Sequence, residues 1–141
     1  LFIALAEALK IIRQESLENV MARHKNMADA VRAAAHAMGL KLLAPQAPSD
    51  AVTGIKLPEE IDGSELVKTM RDKYGVAIAG GQGKLKGKIC RIATMGFMNR
   101  FDVIVAISCF EMVLSEMGYK FELGSGVKAA EEVFVKDPVL I

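Results

Sequence analysis

Residues 80–92 read Gly-Gly-Gln-Gly-Lys-Leu-Lys-Gly-Lys-Ile-Cys-Arg-Ile, and this stretch decides the fold. Its four glycines within eight residues exclude a helix interior or a well-packed strand, because glycine loses much conformational freedom on folding. We therefore predict a loop at the start of the stretch. From Lys88 onward the pattern alternates, which predicts a strand with Cys90 and Ile92 facing the core and Arg91 on the opposite face.

The charge around this strand is one-sided. Residues 73–101 contain no acid, and their basic residues are Lys73, Lys84, Lys86, Lys88, Arg91 and Arg100. A planar guanidinium binds a carboxylate or phosphate through two parallel hydrogen bonds, so the pattern indicates an anion site centred on Arg91. A solvated basic loop, with its arginine paired to a surface acid, fits the same residues.

The composition limits the class of protein. A chain of 141 residues fits one domain, and its formal net charge of +1 argues against a general nucleic-acid binder. No run reaches the roughly 18 apolar residues of a membrane span. Cys90 and Cys109 suit buried free thiols in a reducing compartment, which predicts a cytoplasmic protein. No cluster of residues has metal-ligand spacing, so we predict no metal site.

The hydrophobic periodicity predicts the element order α-α-β-β-α-β-β-α-α. Predicted helices cover residues 1–12, 16–38, 62–74, 99–117 and 125–136, predicted strands cover 40–43, 51–57, 76–79 and 88–94, and a tail follows at 137–141. This order favours an α+β fold with a small, mainly antiparallel sheet that helices cover on one face. The other face, where Arg91 would lie, stays available.

The first helix is unusual because residues 1–5 are apolar all round. Such a turn is normally buried on every side. We therefore expect a partner, or further chain upstream, to cover it.

Residues 80–96 resemble a signature of the class V pyridoxal-phosphate aminotransferases. The signature consists of Gly-Gly, a short basic loop, Gly-Lys, two apolar residues, Arg-Ile and Met-Gly, and this chain carries it as Gly80-Gly81, Gly87-Lys88, Arg91-Ile92 and Met95-Gly96. The family includes the alanine–glyoxylate and serine–pyruvate enzymes, and the small subunit named after a soluble hydrogenase. The resemblance covers essentially the whole chain. It implies the C-terminal small domain of a fold-type-I enzyme, with residues 1–38 as long helices linking from a large domain and 39–141 as the small domain.

The resemblance also implies functional roles. In this family the strand arginine binds the α-carboxylate of the amino or 2-oxo acid, a role that falls on Arg91, with Gly81 and Gln82 beside the substrate. Pyridoxal 5'-phosphate and the lysine that holds it belong to the large domain. We therefore expect no catalytic residue in this chain, no activity from the chain alone, and a homodimer in the complete enzyme. The pair Ala93-Thr94 departs from the family's Gly-His, which leaves the side-chain preference open.

Two other functions fit the same residues. The chain could be a stand-alone α+β module that binds a small anion or a partner protein. It could also be a domain that serves only as an oligomerisation or scaffold piece.

Overall fold

The computed structural model describes residues 1–136, and the tail predicted at 137–141 lies outside them. The elements within that range are helices α1 (Phe2–Glu15), α2 (Leu17–Ala37), α3 (Gly63–Tyr74), α4 (Arg100–Glu116) and α5 (Ser125–Lys136), and strands β1 (Lys41–Leu42), β2 (Val52–Lys56), β3 (Ala79–Gly80) and β4 (Ile89–Ala93). A short 3-10 turn, Gly83–Leu85, connects β3 to β4. The predicted order is confirmed.

The sheet has the order β1-β2-β4-β3, and all its neighbours are antiparallel. One face, formed by Leu42, Thr53, Ile55, Cys90 and Ile92, is buried. It packs into a core that also contains residues of α2, α3, α4 and α5. The predicted α+β fold, a small antiparallel sheet with helices on one face, is therefore confirmed.

Strand β3 is shorter than the predicted segment 76–79. Its pairing with β4 begins only at Ala79, which lies opposite Arg91. The N–H of Val76 instead donates to the carbonyl oxygen of Met70 at 3.0 Å, as part of the cap that ends α3. The helix cap therefore takes a backbone group that the strand would have needed.

Side chains that precede α3 and α4 cap the starts of these helices. At α4, Asn99 and Asp102 form a complete capping box, which satisfies two backbone N–H groups that lack an intrahelical partner. At α3, the Asp62 carboxylate accepts the N–H of the second helical residue at 2.8 Å. Glu65 does not complete a box there, because its carboxylate lies 4.0 Å from the Lys68 ammonium in a surface ion pair.

Helix α2 packs against α5, α4 and the sheet. Its fully buried side chains include Met27 and Val31, and each such side chain contributes about 1.5–3 kcal/mol. Leu17, the first residue of α2, is 59% exposed because close packing begins only at Val20. Arg32, a charged residue of the same helix, is only 9% exposed.

Arg32 is buried because it anchors the loop between β1 and β2. Its guanidinium donates to the carboxylates of Asp29 at 2.5 Å and Asp50 at 2.9 Å, and to the carbonyl oxygen of Ser49 at 3.1 Å. A buried arginine is tolerated when its donors are paired in this way. The contacts fix the loop that leads into β2.

A buried carboxylate holds the start of α5. Glu111, in the middle of α4, is 2% exposed. Its oxygens accept the backbone N–H groups of Gly124 at 3.0 Å and Gly126 at 2.6 Å. A carboxylate at a helix N-terminus satisfies unpaired donors and opposes the positive end of the helix dipole. The contact therefore connects α4 and α5.

Helix α1 meets α2 at a strained joint. Ser16, between them, has a φ of 71° and a ψ of 149°, a region that residues other than glycine rarely adopt. Arg23 binds both oxygens of the Glu15 carboxylate, at 2.6 and 2.9 Å. Its guanidinium also donates to the carbonyl oxygens of Gly96 and Met98 at 3.1 and 2.8 Å. Arg23 thus connects the joint to the loop that follows β4.

This joint should weaken in acid. The Arg23 hydrogen bond lowers the pKa of Glu15 from its ordinary value of 4.5. The ion pair therefore stabilises the fold fully above the unfolded carboxyl's pKa, and that stability is lost as the pH falls through the lower folded pKa. We expect Glu15→Gln to cost on the order of 1 kcal/mol at pH 7 and much less in acid. Urea unfolding at pH 7 and in acid measures the free energy that Glu15→Gln costs, and the substitution of the exposed Glu18 by Gln is the control. An equal cost at the two pH values would contradict the prediction.

Candidate functional site

Arg91 lies in the middle of β4, on the face of the sheet opposite the helices. Its neighbours across the sheet are Gly54 in β2 and Ala79 in β3. We call this the outer face; its residues are Lys41, Val52, Gly54, Lys56, Ala79, Ile89, Arg91 and Ala93. Most of them are exposed, whereas Ile89 is buried and Arg91 is half-buried. The predicted orientation of Arg91, away from the helical core, is therefore confirmed.

One backbone contact fixes the guanidinium of Arg91. Its Nε–H donates to the carbonyl oxygen of Gly80 at 3.0 Å. Within residues 1–136 Arg91 has no ion-pair partner, and its two Nη groups donate to no protein acceptor. Among residues 1–136, no surface acid pairs with this arginine. A half-buried guanidinium with unused donors can bind a carboxylate or phosphate.

Two cavities flank Arg91, and the larger extends from the outer face past β3 to Asp102 and Ala106 of α4. The larger, of about 630 Å³, is also lined by Val52, Val76, Ala77, Ile78, Ala79, Ile92, Ala93, Met95, Met98, Asp102 and Ala106. The smaller, of about 220 Å³, lies toward the β1–β2 loop and reaches Leu43 and Gly54. The lining of the larger cavity is mainly apolar. An anion on Arg91 would therefore carry its uncharged part over an apolar surface.

The glycine loop meets the site through its first residues. The Gly81 N–H donates to the carbonyl oxygen of Ile89 at 3.1 Å, which extends the β3–β4 ladder. The Gln82 side chain is exposed and lines neither cavity, and the Gln82 carbonyl oxygen accepts the N–H of Leu85 at 3.0 Å. The structure thus places Gly81 next to the residue that holds Arg91, whereas Gln82 points to solvent.

No described lysine is placed as a Schiff-base lysine for pyridoxal 5'-phosphate would be. A lysine that forms a Schiff base is normally desolvated. Every lysine from Lys10 to Lys136 is exposed, and none lines the two cavities beside Arg91. Within the same part of the chain, no group of three or more His, Cys, Asp or Glu residues is placed to hold a metal. None of the five helices combines the length and the apolar character that a membrane-spanning segment would need.

Both cysteines are free and buried, as predicted. Burial raises the pKa of Cys90 to about 12, so almost no thiolate forms at pH 8. We expect iodoacetamide at pH 8 to leave Cys90 unmodified in the folded protein and to modify it in urea, as measured by mass spectrometry. Modification of Cys90 in the folded protein at the rate seen in urea would contradict this.

Sequence reasoning missed two groups that build this region. The Gly80 carbonyl holds Arg91, but only the pairing register of β3 with β4 could have indicated it. The buried carboxylate of Glu111 was also missed, because it lies on the helix with the most apolar sequence. Two glycines that flank the predicted start of the last helix, Gly124 and Gly126, were the available signal.

The chain is similar to known aminotransferases. It is 40% identical over 135 residues to an uncharacterised aminotransferase of Methanocaldococcus jannaschii, covering 95% of this chain and 35% of the relative. It is 42% identical over 123 residues to an L-aspartate–glyoxylate aminotransferase of Paracoccus denitrificans, covering 86% of this chain and 31% of the relative. No protein-family model matches the chain.

A solved structure shares the fold. The ureidoglycine–glyoxylate aminotransferase of Bacillus subtilis superposes with a TM-score of 0.90 at 32% identity, over 94% of this chain and 35% of that one. The chain thus spans about a third of the length of these relatives. Aminotransferases of this fold depend on pyridoxal phosphate. The predicted resemblance to class V pyridoxal-phosphate aminotransferases is confirmed: the relatives and the solved structure that the chain matches are aminotransferases, and the matched region is their C-terminal portion.

Proposed function

We propose that this chain is the small domain of a transaminase and that Arg91 binds the α-carboxylate of its substrates. The observation that carries the proposal is the guanidinium on the uncovered outer face, with its Nε fixed by Gly80 and its Nη groups unused. A charge-assisted bidentate hydrogen bond fixes both the position and the direction of a carboxylate. Arg91 would therefore orient the amino or 2-oxo acid for chemistry that the cofactor supplies when bound elsewhere in the full-length protein.

We further propose that the substrates are small amino acids and 2-oxo acids of the alanine, serine, glyoxylate and pyruvate type. The apolar lining of the larger cavity beside Arg91 supports this, because it offers no second cation for a longer acidic side chain. Two of the similar proteins carry glyoxylate in their names. Gly81 and Gln82 would lie at the edge of the bound substrate.

The full-length protein would also contain a large domain that precedes this chain. Exposed apolar residues support this proposal: Leu1, Phe2 and Ile3 of the first helical turn, together with Phe97 and Phe101, are 72–101% exposed. An apolar area of this kind usually marks an interface. The relatives are about three times as long as the matched region, which leaves ample chain to cover it. The buried free thiols support a reducing, cytoplasmic location, and we propose a homodimer as in the family.

A transaminase assay tests the function. The full-length protein should convert alanine or serine in the presence of glyoxylate or pyruvate, and it should show the visible absorbance of bound pyridoxal phosphate. The chain of residues 1–141 alone should show neither, because none of its described lysines is buried beside Arg91, where it could hold the cofactor. A full-length protein without cofactor absorbance and without transamination would exclude the proposal.

A binding measurement separates the second candidate, a stand-alone module that binds a small anion. The unpaired Nη groups of Arg91 favour it as much as they favour a substrate site. Such a module would bind acetate or pyruvate as residues 1–141 alone, with an affinity that a preceding large domain does not change. Calorimetric titration of both forms of the protein with pyruvate decides between the two functions.

A further inference from the structure

The hydrogen bond from Arg91 to Gly80 limits how the guanidinium can bind. A guanidinium offers a carboxylate two edges, one formed by Nε–H with an Nη–H and the other by the two Nη groups. The Nε–H is already donated to the Gly80 carbonyl oxygen at 3.0 Å. We infer that Arg91 takes its carboxylate end-on, through both Nη groups, and that Gly81 is the positioning residue that keeps it so. The inference rests on the carboxylate-binding role proposed above.

Strand pairing and one further backbone hydrogen bond fix the position of the Gly80 carbonyl. Gly80 lies opposite Cys90 in the sheet, and β3 contains only Ala79 and Gly80. The ladder is extended by the hydrogen bond from the Gly81 N–H to the carbonyl oxygen of Ile89, at 3.1 Å. With so short a strand, this one bond has a large share in placing the Gly80 oxygen.

The 3-10 turn then closes over Gly81. A Cβ atom at Gly81 would lie 2.0 Å from the carbonyl oxygen of Leu85 and 2.6 Å from its carbonyl carbon. These are backbone atoms, so no side-chain rotation relieves the clash. The turn is itself fixed by hydrogen bonds from Leu85 to Gln82 and from Lys88 to Leu85, each of 3.0 Å. Any side chain at residue 81 must therefore displace the turn or the end of β3.

A displaced β3 end would move the Gly80 oxygen and release the Nε–H of Arg91. The guanidinium could then rotate, and the carboxylate would lose the fixed end-on partner. Amino donor and 2-oxo acceptor carry the same carboxylate, so both should bind more weakly. The interaction exists before and during the reaction, so its loss should appear mainly in KM and much less in kcat.

The matched variants are Gly81→Ala and Gly83→Ala in the full-length enzyme. Gly83 lies in the same loop with a φ of 52°, and a Cβ atom there meets nothing within 4 Å. An alanine at Gly83 therefore introduces backbone strain without a clash. We expect Gly81→Ala to raise KM for both substrates about 10-fold with kcat changed less than about threefold, and Gly83→Ala to change KM less than about twofold.

The outcomes separate this inference from the proposed function. Equal KM values for Gly81→Ala and Gly83→Ala, in an enzyme whose KM does rise on Arg91→Ala, would overturn the positioning role alone. An unchanged KM on Arg91→Ala would overturn the proposed function as well. A crystal structure of the full-length enzyme with pyruvate gives the second test, should Gly81→Ala not fold. Both carboxylate oxygens should contact the Nη groups, and an oxygen bound to Nε would refute end-on binding.

Discussion

Replacing Arg91 with alanine in the full-length protein should raise KM for the amino donor 10-fold or more. A hydrogen-bonded charge contributes on the order of 1.5–3 kcal/mol, and each tenfold change in KM corresponds to about 1.4 kcal/mol. The KM of the 2-oxo acid should rise in parallel, because its carboxylate would bind to the same Nη groups. Initial rates over a range of each substrate measure the effect.

A suitable control is Lys88→Ala. Lys88 is an exposed cation just before β4 that has no ion-pair partner among residues 1–136. Its removal lowers the local positive charge without touching the guanidinium site, and its effect should be small and should decline at high salt. We expect the KM of Arg91→Lys to be closer to that of Arg91→Ala than to that of the unchanged protein. An ammonium cannot donate to the Gly80 carbonyl and to both carboxylate oxygens at the same time. Unchanged kinetics in Arg91→Ala would remove the assignment.

The sequence predicted the direction of Arg91 but not what holds it. Alternation along residues 88–94 is a local property, and burial of Cys90 and Ile92 followed from it. The Gly80 contact depends on the register between β3 and β4, and a strand of two residues leaves almost no periodic signal. Register is a tertiary property that local patterns specify weakly in glycine-rich segments. The sequence therefore predicted which face of the sheet Arg91 lies on, but not the hydrogen bond that fixes its guanidinium.

For the helices too, the sequence predicted local features but not those that depend on distant contacts. Capping residues such as Asn99 act within four residues of the chain, so the start of α4 was predictable. The burial of Arg32 was not, because it depends on a segment distant in sequence. For Arg32 that segment contains Asp50, which lies 18 positions away. A polar residue on an apparently solvated face becomes buried when a loop supplies its partners.

Glu111 is the strongest case of such a distant partner, and Glu111→Ala should destabilise the domain by about 3 kcal/mol. Two hydrogen bonds from backbone N–H groups, at 3.0 and 2.6 Å, would be lost at a site that is 2% exposed. The donors of Gly124 and Gly126 would then lose their partner, and the Gly126 N–H lies at a buried position where water does not replace it. We expect the melting temperature to fall by roughly 10 °C.

The matched control is Glu116→Ala on the same helix. Glu116 is also a carboxylate, but it is exposed, and it pairs with Lys73 and Tyr74 at the surface. Its loss should cost less than about 1 kcal/mol, because solvent screens such contacts. Glu111→Gln should fall between the two, since its amide retains one acceptor oxygen. Denaturant unfolding ranks the three variants, and a cost for Glu111→Ala no larger than that for Glu116→Ala would show that water replaces the carboxylate at α5. Helix α5 would then be held to α4 by apolar contacts such as Phe134 alone.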